Sequence, residues 1–524
     1  MTENKITRGK IMKSQNNKKE VDSIHGMLDK GVPWAPFVIL GFALSILAAV
    51  AVSFDFGIST TNLIGGGVVV ILLTILVFQS PELGAYLLII SVFSSLSDIL
   101  TDSGYPSINR PLIALIGLSI LVNYVLKTGK LSKLPSITRT EWALLVYYLV
   151  IIFSSFQIAD KGNAYSAILD VSKDILVGIS LLVLLNTTEK WERGAWVLII
   201  TMTVLSGLGV IKMVSGTSRT FFNFAQFSGF GQLDETGNLR YGGPIGEANI
   251  WGQVLTAAIP FVIFRLIKDT NPFKKVLLGL SAATILLAIV YTGSRGAFVA
   301  LLAIAPIIVL VNRIKLPAIL IGLATMTAIL IFLPSSFIQR FETLRIFFDQ
   351  SDQYALSRDE SIVGRRNAML TGLAMFRDNP FLGVGFGNYG NNYWKYASEL
   401  GLESGSLYTD SDTDLPQAHS LYVEILSETG LLGMLSFATL ISFIFAGLLK
   451  TRKKYQALAI DSDWVSWIDA LSISLLSFLI TGFFLHGIFF RFIWMLIGMA
   501  LAAIAISNNT PTSTSASHRR NSND

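Results

Sequence analysis

The sequence predicts an all-α fold, a polytopic transmembrane helical bundle of about 12–14 spans with a large extracytoplasmic loop that contains short helices. Three observations carry that prediction. Of 524 residues, 52% are hydrophobic and only 14% are charged, whereas soluble domains average about 25% charged residues to coat a wet surface. Mean hydropathy is +0.59. Apolar runs of about 20 residues, the length that crosses a hydrocarbon core, recur along the chain. A soluble multidomain enzyme, a disordered chain and a fibrous protein are thereby excluded. Cysteine is absent, which removes disulfides, thiolate nucleophiles and cysteine-ligated zinc.

Taken in order, candidate spans start near Trp34, Leu63, Leu83, Pro111, Trp142, Ile168, Ala195, Ala248, Val276, Ala297, Pro317, Leu431, Trp467 and Ile493. The first, Trp34 to Phe54, follows a long polar tail and reads as a retained anchor, because a secretory signal has a shorter leader and core. Lys/Arg bias orients the set. The tail holds Lys5, Arg8, Lys10, Lys13, Lys18, Lys19 and Lys30, which places it in the cytoplasm. Alternation then puts four more basic loops on the same side, around Lys127 to Arg139, Arg265 to Lys275, Arg313 to Lys315 and Lys450 to Lys454. Both termini are expected inside.

The organisation that follows is a basic cytoplasmic tail (1–33), transmembrane helices (34–333) with an outside loop at 215–247, a large extracytoplasmic loop (334–419), C-terminal transmembrane helices (420–506) and a disordered cytoplasmic tail (507–524) rich in Ser, Thr and Asn. The large loop far exceeds ordinary loop lengths and should carry function. Inside it, Val363, Leu370, Leu373 and Phe376 repeat at helical spacing, and the helix is expected to stop before Asn379-Pro380.

On this topology Arg219, Arg240, Arg295, Arg340, Arg365, Arg366 and Arg491 all fall outside, against the positive-inside tendency. The plain reading of any one is a headgroup anchor or a loop ion pair. As a set they suggest a side that holds anions, and the planar guanidinium suits phosphate oxygens. Arg295 lies in Tyr291-Thr-Gly-Ser-Arg-Gly-Ala297, a short turn between two spans where Gly293 and Gly296 admit close backbone. Arg365 and Arg366 open the outside helix, pointing about 100° apart, so that one faces a ligand while the other faces water. Arg240 leads through Tyr-Gly-Gly-Pro-Ile-Gly-Glu to Asn249 and the next span.

His419 stands in Gln417-Ala-His-Ser-Leu-Tyr-Val-Glu-Ile-Leu-Ser-Glu-Thr-Gly430. Its imidazole, with an ordinary pKa of about 6.5, is suited to accept a proton from an incoming hydroxyl, or else to hydrogen-bond its own loop. Glu424 is a candidate to orient it, though five residues is a poor offset on a helix. Glu424 and Glu428 share a face and alternatively cap or pair with the arginines. Weaker signals read structurally. Gly383-Val-Gly-Phe-Gly387 is a turn rather than a phosphate loop, since no strand precedes it. Asp410, Asp412 and Asp414 read as a solvated acidic turn, because Leu415 replaces the glycine a calcium loop needs. Asp170, Lys173 and Asp174 are expected to neutralise one another within a span. No metal and no other cofactor is expected.

Four stretches, in this order, make the chain resemble the O-antigen ligase and O-antigen polymerase superfamily of membrane glycosyltransferases: Arg240 to Asn249; Thr292-Gly-Ser-Arg-Gly-Ala297; Gly364-Arg365-Arg366 followed by Asn379-Pro-Phe-Leu-Gly-Val-Gly-Phe-Gly-Asn-Tyr389; and Ala418-His419 to Gly430. The resemblance implies a fold similar to the multi-span (GT-C type) glycosyltransferases. It also implies transfer of a glycan from an undecaprenyl-diphosphate-linked donor to a hydroxyl of a glycan, lipid or protein acceptor, in cell-surface polysaccharide biosynthesis. The site would face outward from the cytoplasmic (inner) membrane of a bacterium, among membrane lipids and other polysaccharide assembly proteins, with no nucleic acid. The reaction would be metal-independent and inverting.

By the same resemblance, His419 and Arg295 are catalytic, Arg295, Arg365, Arg366 and Arg240 hold the diphosphate, and Glu424 and Asn249 support them. Of Arg365 and Arg366, one faces the substrate. Rival readings are a transporter of a small anion such as bicarbonate, centred on Asp170, Lys173 and Asp174, and a non-catalytic component of a polysaccharide export complex.

Overall fold

The computed structural model describes residues 74–102, 107–122, 138–157, 161–231, 239–317, 320, 360–402, 415–458, 462–485 and 491–510. The predicted span at Trp34, most of those at Leu63 and Pro317, the basic tail, Lys127 to Lys133, Arg340, Asp410, Asp412, Asp414 and the tail after 510 lie outside the described residues.

Helices α1 (Glu82–Phe93) and α2 (Leu96–Asp102) form a pair bent by 58°, followed by α3 (Asn109–Ile120), α4 (Arg139–Ser155), α5 (Lys161–Leu184) and α6 (Thr188–Ser215). A two-stranded antiparallel sheet, β1 (Gln226–Phe227) with β2 (Tyr241–Gly243), occupies the next loop. Then come α7 (Ala248–Lys268), α8 (Pro272–Thr292), α9 (Arg295–Asn312), α10 (Glu360–Asp378), α11 (Tyr389–Glu399), α12 (Leu421–Leu458), α13 (Ser462–Thr481) and α14 (Arg491–Asn509). Among the described residues seven helices are long and apolar enough to cross a membrane, or eight if the bent pair is one span. The chain is an all-α polytopic membrane bundle.

Local chemistry sets the helix ends. Thr138 and Glu141 form a reciprocal capping box on α4, Asn271 caps α8 ahead of Pro272, and Thr187 caps α6. Burial then sorts the helices. Helices α7 and α14 are buried around almost their whole circumference and sit in the interior. Helices α8 and α9 leave Leu277, Leu280, Leu302 and Leu310 exposed, as lipid-facing helices do. Because lipid supplies no hydrophobic force between helices, small polar residues join them. Ser474 donates to the Ala257 carbonyl, Thr203 meets Ser281, and Gln253 reaches the Phe478 carbonyl at 3.3 Å.

One end of the bundle carries basic residues and tryptophans. Arg265 pairs with Asp463 at 3.5 Å and lies 4.2 Å from the Trp467 ring centroid. Arg452 pairs with Asp469 at 2.6 Å, and Lys454 donates to the Ser507 and Thr510 carbonyls. Trp191 stacks edge-on against Trp464 and Trp467 and donates to the Met499 carbonyl at 2.9 Å. The opposite end holds the residues at 240–249, 292–297, 419–421 and 481–485.

The charge cluster on α5 is arranged differently from the expectation. Lys173 pairs with Asp170 at 2.7 Å, but Asp174 faces Arg491 at 3.6 Å, and Arg491 also holds Asp98 at 2.8 Å. Arg491 therefore joins α2, α5 and α14 through two carboxylates. Sequence spacing reports only neighbours on one helix, so this cross-helix partner was invisible to it.

Candidate functional site

The four stretches converge on one end of the bundle, linked contact by contact. Glu247 caps α7 by accepting from the Ile250 N–H at 2.6 Å, and its other oxygen accepts from the Asn249 side-chain amide at 2.9 Å. Asn249 in turn accepts from Arg240 at 2.8 Å, while the Arg240 Nε donates to the Thr292 carbonyl at 2.8 Å. Arg240 thus ties the loop before α7 to the C-terminus of α8, where an arginine complements the helix dipole. Beside it, Tyr241 is buried, donates to the Leu205 carbonyl at 2.8 Å and meets Trp251 perpendicularly.

Helix α8 stops at Gly293, which adopts a left-handed φ of 60°, and Ser294 caps α9. Arg295 is the first residue of α9 and is partly buried. Its guanidinium and the first N–H groups of α9 share a helix N-terminus, which favours anions. A Cβ at Gly252 would stand 3.0 Å from Ser294 and Ala297, so α7 packs directly beneath this turn.

The turn after α13 bridges Arg295 to His419. Phe484 stands against Gly296, where an added Cβ would lie 3.1 Å from the phenylalanine Cβ. The Gly482 and Leu485 carbonyls both accept from the Leu421 N–H, at 2.8 and 2.7 Å. Tyr422 packs its ring 4.4 Å from that of Phe483 and donates to the Leu479 carbonyl at 2.8 Å. Residues 482–485 therefore sit between the start of α9 and the start of α12.

His419 precedes α12 with a left-handed φ of 49°, an unusual backbone for a residue other than glycine or asparagine. Burial pushes its imidazole down to about 4, and the positive charge of Arg365 adds to the drop. The ring is consequently neutral near pH 7. Arg365 is partly buried on α10 and close enough to act on His419, whereas Arg366 is exposed.

Helices α10 and α11 are held by backbone contact. Helix α10 crosses α12 where Gly372 meets Val423 and Ser427. The segment after α10 lies along a break in α12 at Gly430 (φ 65°, ψ −161°). Val384 and Gly385 donate to the Ser427 and Glu428 carbonyls at 2.8 and 3.0 Å, and Leu431 donates to the Pro380 carbonyl at 2.8 Å. Glu428 completes the joint, accepting from the Gly387 N–H at 2.9 Å and the Tyr389 N–H at 3.1 Å. Glu428 is thus a cap for α11 and a clasp for the Gly383 to Gly387 turn.

Glu424 is buried on the same face, where its charge and that of Glu428 join burial, the dominant cause, and Tyr393 in holding the Tyr389 phenol above its ordinary range. The roles of Glu428 and of the 482–485 turn escaped the sequence reading. Only the Glu424/Glu428 spacing hinted at the first, and nothing local signals the second.

The family model described as O-antigen ligase matches residues 280–438. That stretch runs from α8 into α12 and contains Arg295, Arg365, Arg366, His419 and Glu424, with Arg240 and Asn249 preceding it. No curated protein matches the chain.

Proposed function

We propose that this chain, whose residues 280–438 match the O-antigen ligase family model, is a member of the O-antigen ligase and polymerase superfamily and transfers a glycan from an undecaprenyl-diphosphate-linked donor to an acceptor hydroxyl at the extracytoplasmic face of the bacterial inner membrane. The observation that carries the reading is the gathering of Arg295, Arg365 and His419 at one end of an apolar bundle, with Arg365 acting electrostatically on the histidine. Arg295 and Arg365 are the diphosphate ligands in this reading. Arg240, committed to Thr292 and Asn249, positions the Arg295 turn. Among the described residues no group of side chains is arranged to hold a metal ion.

In the reaction, the acceptor oxygen forms a bond to the anomeric carbon from the face opposite the leaving group, which inverts that centre. The bond from carbon to the diphosphate oxygen breaks, and its electron pair leaves with the lipid diphosphate. The acceptor proton passes to the neutral His419 imidazole. Charge builds on the departing oxygen, where fixed guanidiniums stabilise the transition state more than the ground state. The diphosphate brings negative charge beside Arg365, which offsets that arginine's share of the lowering of His419, burial being the larger cause, and raises its basicity once donor is bound.

Purified protein incubated with lipid-linked oligosaccharide and a candidate acceptor tests the reading on a gel. A ladder of products identifies a polymerase and a single shifted acceptor a ligase, whereas unchanged substrates across all acceptor classes would overturn the proposal. The electrostatics supply a second test. With a free-enzyme histidine near 4, kcat/KM should stay flat as pH falls from 7 to 5. Arg365→Gln removes a neighbouring positive charge, so the protonated ring is less disfavoured and the acid limb moves to higher pH, by about half a unit to one unit for one partly exposed charge. An acid limb that is unmoved, or moves downward, separates Arg365 from His419.

A further inference from the structure

Helix α10 turns an unexpected face outward. Arg366, Met369, Leu370, Leu373 and Arg377 are all exposed, and their spacing of three or four residues puts them on one stripe. Behind the stripe, Ala368, Thr371, Ala374 and Met375 are buried. Water favours charge at the middle of such a stripe, yet here Met369 and Leu373 are 41% and 44% exposed, with an arginine at either end. Arg377 also pairs with its neighbour Asp378 at 3.0 Å.

The stripe does not end with the helix. Phe381 follows it at 69% exposure, and its carbonyl accepts from the Leu432 N–H at 3.3 Å while the Pro380 carbonyl accepts from Leu431. Leu431, Leu432 and Leu435 are exposed at the start of the apolar run of α12 that enters the bilayer. The apolar face of α10 is therefore continuous, through Phe381, with a lipid-facing surface.

We propose that this stripe is a lipid-docking surface: α10 rests in the headgroup region of the leaflet on the site's side, with Met369, Leu370, Leu373 and Phe381 among the acyl chains and Arg366 and Arg377 on lipid phosphates. Two features select bilayer lipid as the occupant. One is continuity with the lipid-facing wall of α12. The other is charge, because arginines flanking an apolar face are the pattern of an interfacial helix and complement anionic headgroups. Docking fixes the height of α10 above the membrane. Arg365, adjacent to the stripe and turned inward, is then held at the level where a lipid diphosphate emerges from the bilayer. Arg366 is assigned to the membrane rather than to the diphosphate.

The chain has no cysteine, so one introduced thiol carries a spin label uniquely. Full-length protein is labelled separately at Leu370→Cys, Leu373→Cys and Asn391→Cys, the last on the exposed polar side of α11. It is placed in nanodiscs of phosphatidylethanolamine and phosphatidylglycerol without polyprenyl lipid. Oxygen and a water-soluble nickel chelate then serve as relaxing agents. The expected result is a severalfold higher ratio of oxygen to nickel collisions at 370 and 373 than at 391. Equal ratios at all three sites would overturn the proposal in favour of a water-exposed helix. Dipolar broadening at 370 or 373 would overturn it in favour of a second copy of the chain, and shielding from both agents in favour of cover by protein. The readout needs no transfer activity, so it stands or falls apart from the glycosyl-transfer reading.

Discussion

His419→Ala is expected to lower transfer by about 10²–10⁴-fold, the usual contribution of a general base. The acceptor hydroxyl then loses the neutral imidazole that takes its proton. Arg295→Ala should cost about 10²–10³-fold in kcat, comparable to removing one donor from a site where negative charge develops. Both losses should appear with protein level and membrane insertion unchanged, because Arg295 and His419 stand at helix starts rather than within a span. The two variants differ in detail. The Arg295 loss should be partly recovered by Arg295→Lys, which keeps the charge but not the fork. The His419 loss should depend on pH only weakly, since the titrating group is gone. Activity near the unsubstituted level in both variants, measured with lipid-linked oligosaccharide, would sink the site assignment.

The second large effect belongs to the joint beneath the site. Gly430 has φ 65° and ψ −161°, a region essentially confined to glycine. A Cβ there would run into the Phe381 carbonyl group. Gly430→Ala thus combines a backbone strain of about 1–3 kcal/mol with a backbone clash that must shift the 379–389 segment. A total of about 3 kcal/mol or more is expected, read as a lowered Tm in detergent. Gly216→Ala is the matched control. Gly216 has a similar φ of 61° at the end of α6 but open space around it, so its cost should be near 1 kcal/mol. Equal losses at the two positions would show that the joint between the loop and α12 contributes no stability. Because Glu428 clasps the same segment, Gly430→Ala should also impair transfer in whatever folded protein survives.

Much of this architecture was legible in the sequence. Composition and run length identify a membrane bundle because both report transfer free energies, which add along the chain regardless of what packs where. The predicted start of the span at Ala248 coincides with the start of α7, where Glu247 offers a cap, and the break at Thr292-Gly293 follows from a glycine between two apolar runs. The end of α10 before Asn379-Pro380 is likewise a local matter. The apolar run expected from Leu431 starts directly after the break in α12 at Gly430. Helix α12 begins at Leu421 and is interrupted at Gly430, because the polar Ser427-Glu428-Thr429 turn is stabilised by the docked loop rather than by its own hydropathy.

What the sequence by itself determined is the class of protein, the approximate starts of most described helices and the residue types of the site stretches: arginines, one histidine and two glutamates on a shared face. What only the tertiary structure decided is the partner of each. It set Arg365 beside His419 and left Arg366 outside. It tied Arg240 to Thr292, gave Arg491 to Asp98 and Asp174, and made Glu428 a clasp for a turn some forty residues earlier. The reason is physical. Hydropathy and helical periodicity are properties of a segment, whereas helix association in lipid has no hydrophobic force to guide it. It rests on close approach at small residues and on hydrogen bonds between distant segments, which local pattern does not specify.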